Sequence, residues 1–122
     1  MAFQGDKPIF LQLAEQLQAG ILSGAYPEGS QVPSITEYAA TYKINPATAL
    51  KGINLLVSDG LLYKKRGIGM FVAEGAQAAI RKQRSEEFYR NYIETVVREA
   101  KNLGLTADQL KELIQRGYDY GN

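Results

Sequence analysis

From Pro8 to Leu22, apolar residues fall at Ile9, Phe10, Leu13, Leu17 and Ile21. Steps of three and four trace one face of a helix. Asp6 is placed to cap its start, Pro8 suits its first turn, and Gly24 fits its stop. "AYPEGSQVPS" then breaks the pattern. Pro27 and Gly29 suit the second and fourth positions of a type I turn, and Gln31 and Val32 form a very short strand.

Ser34-Ile35-Thr36-Glu37 reads as a capping box, with a hydroxyl at the N-cap and Glu three residues later. Its helix runs to about Tyr42, with Ile35, Tyr38 and Ala39 inward. Lys43 and Ile44 make a turn. Asn45 is a second N-cap, and Pro46 takes the first helical position, where a missing N–H costs nothing. The third helix is expected to bury Ala49, Gly52, Ile53 and Leu56 and to end at Asp59-Gly60. Its other face carries Ala47, Thr48, Leu50, Lys51 and Asn54.

In "LLYKKRGIGMFVA", two runs of strand formers flank Arg66-Gly67-Ile68-Gly69, a hairpin signal. Residues 76–103 read as one long helix, with Phe88, Tyr92, Val96, Ala100 and Leu103 repeating every three or four positions. Gly104 stops it. Thr106 to Gln109 forms another capping box, opening a last helix whose inward face is Leu110, Leu113 and Ile114. "RGYDYGN" reads as a loose tail. The predicted fold class is mostly α with a small β-hairpin. A winged helix-turn-helix domain (residues 1–75) precedes a helical dimerisation region (76–116) and a tail (117–122).

This order explains why two helix starts lie so close together. The second helix braces the third across a tight turn. The third then exposes N-terminal residues, where the helix dipole also favours phosphate, and the hairpin projects as a wing.

Composition narrows the chemistry. The chain's 122 residues contain no Cys and no His. Disulfides, thiolate metal sites and the commonest general base are therefore excluded, and no enzyme, metal or cofactor is expected. No apolar run suits a bilayer and no signal pattern opens the chain, so a cytoplasmic protein is expected.

A net charge of +1 points to no partner by itself. Its distribution does. Between residues 43 and 66, Lys43, Lys51, Lys64, Lys65 and Arg66 face only Asp59, a local net of +4; the remainder carries −3. One basic face on the elements expected to meet DNA suits a duplex partner.

The same residues carry a family resemblance. Pro8 to Glu74 is similar to the DNA-binding domain of GntR-type bacterial transcription regulators. The anchors are "PIFLQLAEQL", "PEGSQVPS", "INPATALKGINLL", "DGLLYKK" and "RGIGMFV". The remainder, with "LGLTADQLKELI", resembles the short YtrA-type branch, in which two dimerising helices replace a ligand-binding domain.

The resemblance implies a homodimeric repressor, often of a transport operon, bound to a pseudo-palindromic operator. It places phosphate contact at Ser34 and DNA contacts at Thr36, Asn45, Ala47, Thr48 and Lys51. The wing residues Gly67, Ile68 and Gly69 would enter the minor groove, with Lys65 and Arg66 beside them. Thr36 stands where the family usually has Arg, Ala47 where a longer polar group is common, and Met70 where Thr is usual. The first two departures imply an unusual operator or weaker sequence discrimination, and the third is a smaller change.

Several positions admit other readings. Lys51 could be a solvated lysine, and Lys64, Lys65 and Arg66 could be edge-strand charges that block aggregation. Gly67 and Gly69 could simply serve the turn. Close helix packing accounts for Gly52 better than a functional contact does. Phe88, Tyr89 and Tyr92 could be core, dimer interface or a site for an aromatic effector. A long helix with an apolar stripe needs a partner, which favours a homodimer built on Phe88, Tyr92, Val96, Ala100, Leu103, Leu110 and Leu113. A small-molecule effector between the helices is a further hypothesis. The same winged helix could instead serve protein–protein contact.

Overall fold

The computed structural model describes residues 5–121. Helices α1 (Ile9–Ser23), α2 (Ile35–Tyr42) and α3 (Pro46–Ser58) precede an antiparallel hairpin of β1 (Leu62–Lys65) and β2 (Gly69–Val72). Then come α4 (Ala76–Phe88), a π-helical turn (Tyr89–Ile93), α5 (Glu94–Asn102) and α6 (Ala107–Tyr120). The chain forms two compact units, divided between Lys82 and Gln83.

The first unit is built around α1 and α3. Leu13, Leu17 and Ile21 on α1 are sealed from solvent, as are Ala49, Ile53 and Leu56 on α3. Gly52 lets the two helices meet. A Cβ there would lie 2.7 Å from the Phe10 carbonyl oxygen and 3.3 Å from the Leu13 side chain. Close approach therefore explains a residue that costs a free helix about 1 kcal/mol relative to Ala. Tyr38 from α2 and Leu61, Leu62 and Val72 around the hairpin complete the core.

The expected capping boxes are present. Ser34 Oγ accepts from Glu37 N–H at 3.1 Å, and Glu37 Oε1 accepts from Ser34 N–H at 3.2 Å. Asn45 Oδ1 accepts from Ala47 N–H at 2.8 Å, and Pro46 follows it as the first helical residue.

Several details differ from the sequence reading. Asp6 does not cap α1; Pro8 holds the N-cap position with no side-chain cap, and Gly24 closes the helix as expected. The first turn is shifted by one residue. Ser30 N–H donates to the Pro27 carbonyl, which puts Gly29 third, at φ 81, where a type II turn requires positive φ. Residues 117–120 are helical, because α6 runs to Tyr120; Asn122 lies outside the described residues. The unit boundary also falls later than residue 75, inside α4. Ala76 and Ile80 are buried in the first core, and Gln77 Nε2 donates to the Leu22 carbonyl at 2.9 Å.

The second unit buries much less. The backbone stays helical through the π turn, where Glu94 N–H reaches back to the Tyr89 carbonyl. A four-residue step overshoots a 3.6-residue turn, so a stripe at that spacing drifts around an α-helix. The wider π turn offsets the drift, and Phe88 and Tyr92 remain paired with ring centroids 5.5 Å apart. After α5, Leu105 N–H donates to the Ala100 carbonyl and Gly104 N–H to that of Lys101, which is a Schellman stop. Thr106 and Gln109 form the expected capping box on α6.

Leu113 and Ile114, expected to face inward, are exposed, and Leu110 is half-buried. Among the residues expected at a dimer interface, Phe88, Tyr92, Val96, Leu103 and Leu113 are exposed. Ala100 is already buried within the protomer and offers a partner little surface.

Candidate nucleic-acid interface

The elements expected to meet DNA present their residues to solvent. Ser34, Thr36, Asn45, Ala47, Lys51, Lys65, Arg66, Gly67 and Ile68 are exposed, while Thr48 and Gly69 are half-buried. Ser34 Oγ uses its acceptor capacity in the cap and keeps its O–H as a donor. Asn45 is similar: its Oδ1 caps α3, and its amide N–H groups stay available.

Two of the basic residues, Lys51 and Lys65, are held by rings rather than by carboxylates. Among the described residues, the ion pairs are Lys7–Glu15 and Lys111–Asp108, and neither involves Lys43, Lys51, Lys64, Lys65 or Arg66. Lys51 Nζ lies 4.1 Å from the centre of the Phe10 ring on α1. On the wing, Tyr63 and Phe71 are paired across the strands and stack at 5.9 Å, with Lys65 Nζ 4.3 Å from the Phe71 centroid. A cation over a ring is oriented yet keeps its charge, so this face stays electropositive. Lys43 holds the turn between α2 and α3 at φ 54.

The wing tip has a brace that sequence reasoning missed. Gln31 bridges Phe71 as a third, edge segment of the sheet, and Val32 N–H donates to the Met70 carbonyl. Gln31 Nε2 also reaches the Ile68 carbonyl at 2.9 Å. Gly69, at φ 146, is what admits that side chain; a Cβ there would lie 2.5 Å from Gln31 Nε2. The two partners are 37 residues apart, beyond any local pattern. The wing ends on Ile68, 63% exposed between two glycines.

Among the described residues, no group of His, Cys, Asp or Glu side chains is placed to hold a metal ion. No helix there is long and apolar enough to cross a membrane.

Residues 10–72, the segment that forms this surface, match the family model described as bacterial regulatory proteins, gntR family. The chain belongs to the GntR family. It is a winged-helix, DNA-binding transcription regulator of that family, as the resemblance of its motifs implied. The HTH-type transcriptional regulator YhcF of Bacillus subtilis is 33% identical over 93% of this chain and 92% of its own length. The HTH-type transcriptional repressor YtrA of the same species is 25% identical over 92% of this chain and 85% of its own.

The crystal structure of a GntR-family transcriptional regulator from Bacteroides thetaiotaomicron is 32% identical. It covers 93% of this chain and 99% of that one, with a TM-score of 0.76. The DNA-binding domain of AraR, solved in complex with an operator, is 33% identical over 58% of this chain and 92% of that one, with a TM-score of 0.55. The relatives are transcriptional regulators rather than enzymes.

Proposed function

We propose that this GntR-family regulator is a cytoplasmic homodimeric repressor that binds a pseudo-palindromic operator. The observation that carries the reading is the basic face of the winged helix. Lys43, Lys51, Lys64, Lys65 and Arg66 are exposed and make no ion pair among the described residues. The α3 helix of each protomer enters a major groove, and successive grooves about 34 Å apart match the two-fold symmetry of a dimer. Ser34, Lys51, Lys65 and Arg66 contact phosphate and set affinity. Thr36, Asn45, Ala47 and Thr48 lie along the bases, and Gly67, Ile68 and Gly69 approach the minor groove.

Two features support pairing. The apolar stripe carried by Phe88, Tyr92, Val96, Leu103 and Leu113 is exposed in the protomer. The resemblance to YtrA, itself named a repressor, extends through this region.

The test is a titration of operator-bearing promoter DNA at several salt concentrations. Binding weakens as salt rises, and Lys51→Ala weakens all sequences alike and lowers the salt slope by about 1. Salt-independent binding, or an unchanged slope in Lys51→Ala, overturns the assigned contacts. Equal, very weak binding of random and operator DNA would favour a protein partner for the winged helix.

A further inference from the structure

The exposed face of α3 has few side chains that pair with base edges. Its sequence, PATALKGINLLVS, contains no Arg, Gln, Glu or Asp. Its single cation, Lys51, is drawn over the Phe10 ring on α1.

Beside Lys51 and Asn54, the helix presents two apolar side chains, Ala47 and Leu50. Ala47, Leu50 and Asn54 follow at steps of three and four and share the open face of α3 with Lys51 and Ser58. Leu50 is 40% exposed, although Ala49 and Ile53 on the same helix are fully sealed. A solitary surface leucine needs no explanation. This one lies one turn from Ala47 on the exposed stripe, beside Lys51, which makes no ion pair among the described residues.

The charge of that surroundings suits a nucleic-acid duplex, and the major groove offers one apolar group, the thymine C5-methyl. Adenine N6 and N7 match an Asn side chain in two hydrogen bonds.

We propose that Leu50, with Ala47 beside it, reads thymine methyl groups, and that Asn54 reads an adjacent adenine, so the operator half-site is T·A-rich beneath α3. The proposal rests on the DNA-binding reading above and adds the sequence class it recognises. Ala47 keeps the helix close to the bases, and Leu50 supplies the reach. Specificity then comes from fit to methyl groups.

The full chain is used to select duplexes from a random pool. The enriched duplex is then remade with deoxyuridine at each half-site thymine in turn. Deoxyuridine keeps the pairing and the O4 acceptor and lacks only the methyl group. Removing a methyl that the protein reads weakens binding about four-fold. Leu50→Ala weakens the thymine duplex and abolishes the thymine–uracil difference, and Leu50→Gln, which keeps the side-chain bulk, does the same.

The proposal is overturned if the selected duplex is bound but every uracil replacement is silent, or if Leu50→Ala keeps the full difference; the DNA-binding reading survives either result. Failure to enrich any duplex, with weak binding of all sequences alike, overturns both. If Leu50→Ala does not fold by circular dichroism, the wild-type uracil scan and Leu50→Gln decide.

Discussion

The two units use the same kinds of residue in opposite ways. In the first, leucine, isoleucine and valine are sealed among α1, α3, the hairpin and the start of α4. In the second, Ala100 is the one buried apolar side chain among the described residues, while Phe88, Tyr92 and Leu103 are 55%, 61% and 72% exposed. Both units carry a well-formed capping box, at Ser34 and at Thr106. Local helix signals are therefore equally good in each. What differs is whether the apolar faces find partners within the protomer. The first unit's pattern is satisfied by its own chain, and the second unit's pattern stays open to solvent, as the proposed dimer requires.

The comparison is tested most severely in the core of the first unit. Leu13→Ala empties a fully buried position and is expected to cost about 2–5 kcal/mol, seen as an early thermal transition. A loss as small as that of a surface change would mean the first unit is not self-supporting.

Next in size is the exposed stripe. Tyr92→Asp combined with Leu103→Asp is expected to weaken the proposed dimer at least about 100-fold by analytical ultracentrifugation, equivalent to about 2.7 kcal/mol. The first unit should keep its own unfolding transition. A dimer untouched by both charges would place the interface elsewhere.

A smaller effect separates the units by pH. Burial holds the Tyr38 phenol protonated far above the usual tyrosine range. The unfolded phenol ionises near its ordinary pKa of about 10, so the stability gained is intact below that pH. Above it, stability falls by about 1.4 kcal/mol per pH unit. Tyr38→Phe should flatten that decline in the first unit, and an unchanged alkaline limb would remove Tyr38 as its source.

The smallest effect is on the caps. Ser34→Ala and Thr106→Ala each remove an N-cap hydroxyl and are expected to cost about 1 kcal/mol. The first should lower the winged-helix transition, and the second the stability of the C-terminal helices. A common shift from both changes would show that the two units unfold as one.

Much of the first unit was legible because its signals are local. Ser34 with Glu37 and Asn45 with Pro46 mark helix starts within four residues, and the boundaries of α2 and α3 follow from them. The four buried positions of α3 follow from spacing alone. Pro8 misled because it can stand at the N-cap as well as inside the helix, which left Asp6 without that role. The first turn slipped because Pro27 fits either register until the Ser30 hydrogen bond is seen.

Residues 117–120 resembled a tail because Gly117 and two exposed tyrosines carry no inward pattern. The π turn has no sequence signature at all. At the candidate interface, the exposed face of α3 was legible from helical period. The ring contact between Phe10 and Lys51 and the brace from Gln31 to Ile68 were not, since both depend on tertiary approach.

That brace has a mechanical consequence. Gln31 is stitched to the hairpin at Phe71 and Ile68, and only Val32 and Pro33 separate it from Ser34, where α2 begins. The hairpin tip and the helix pair are thus clamped by one taut splice of chain. In the proposed complex, the wing and the helix pair would therefore meet a duplex as one tied part instead of two independent fingers.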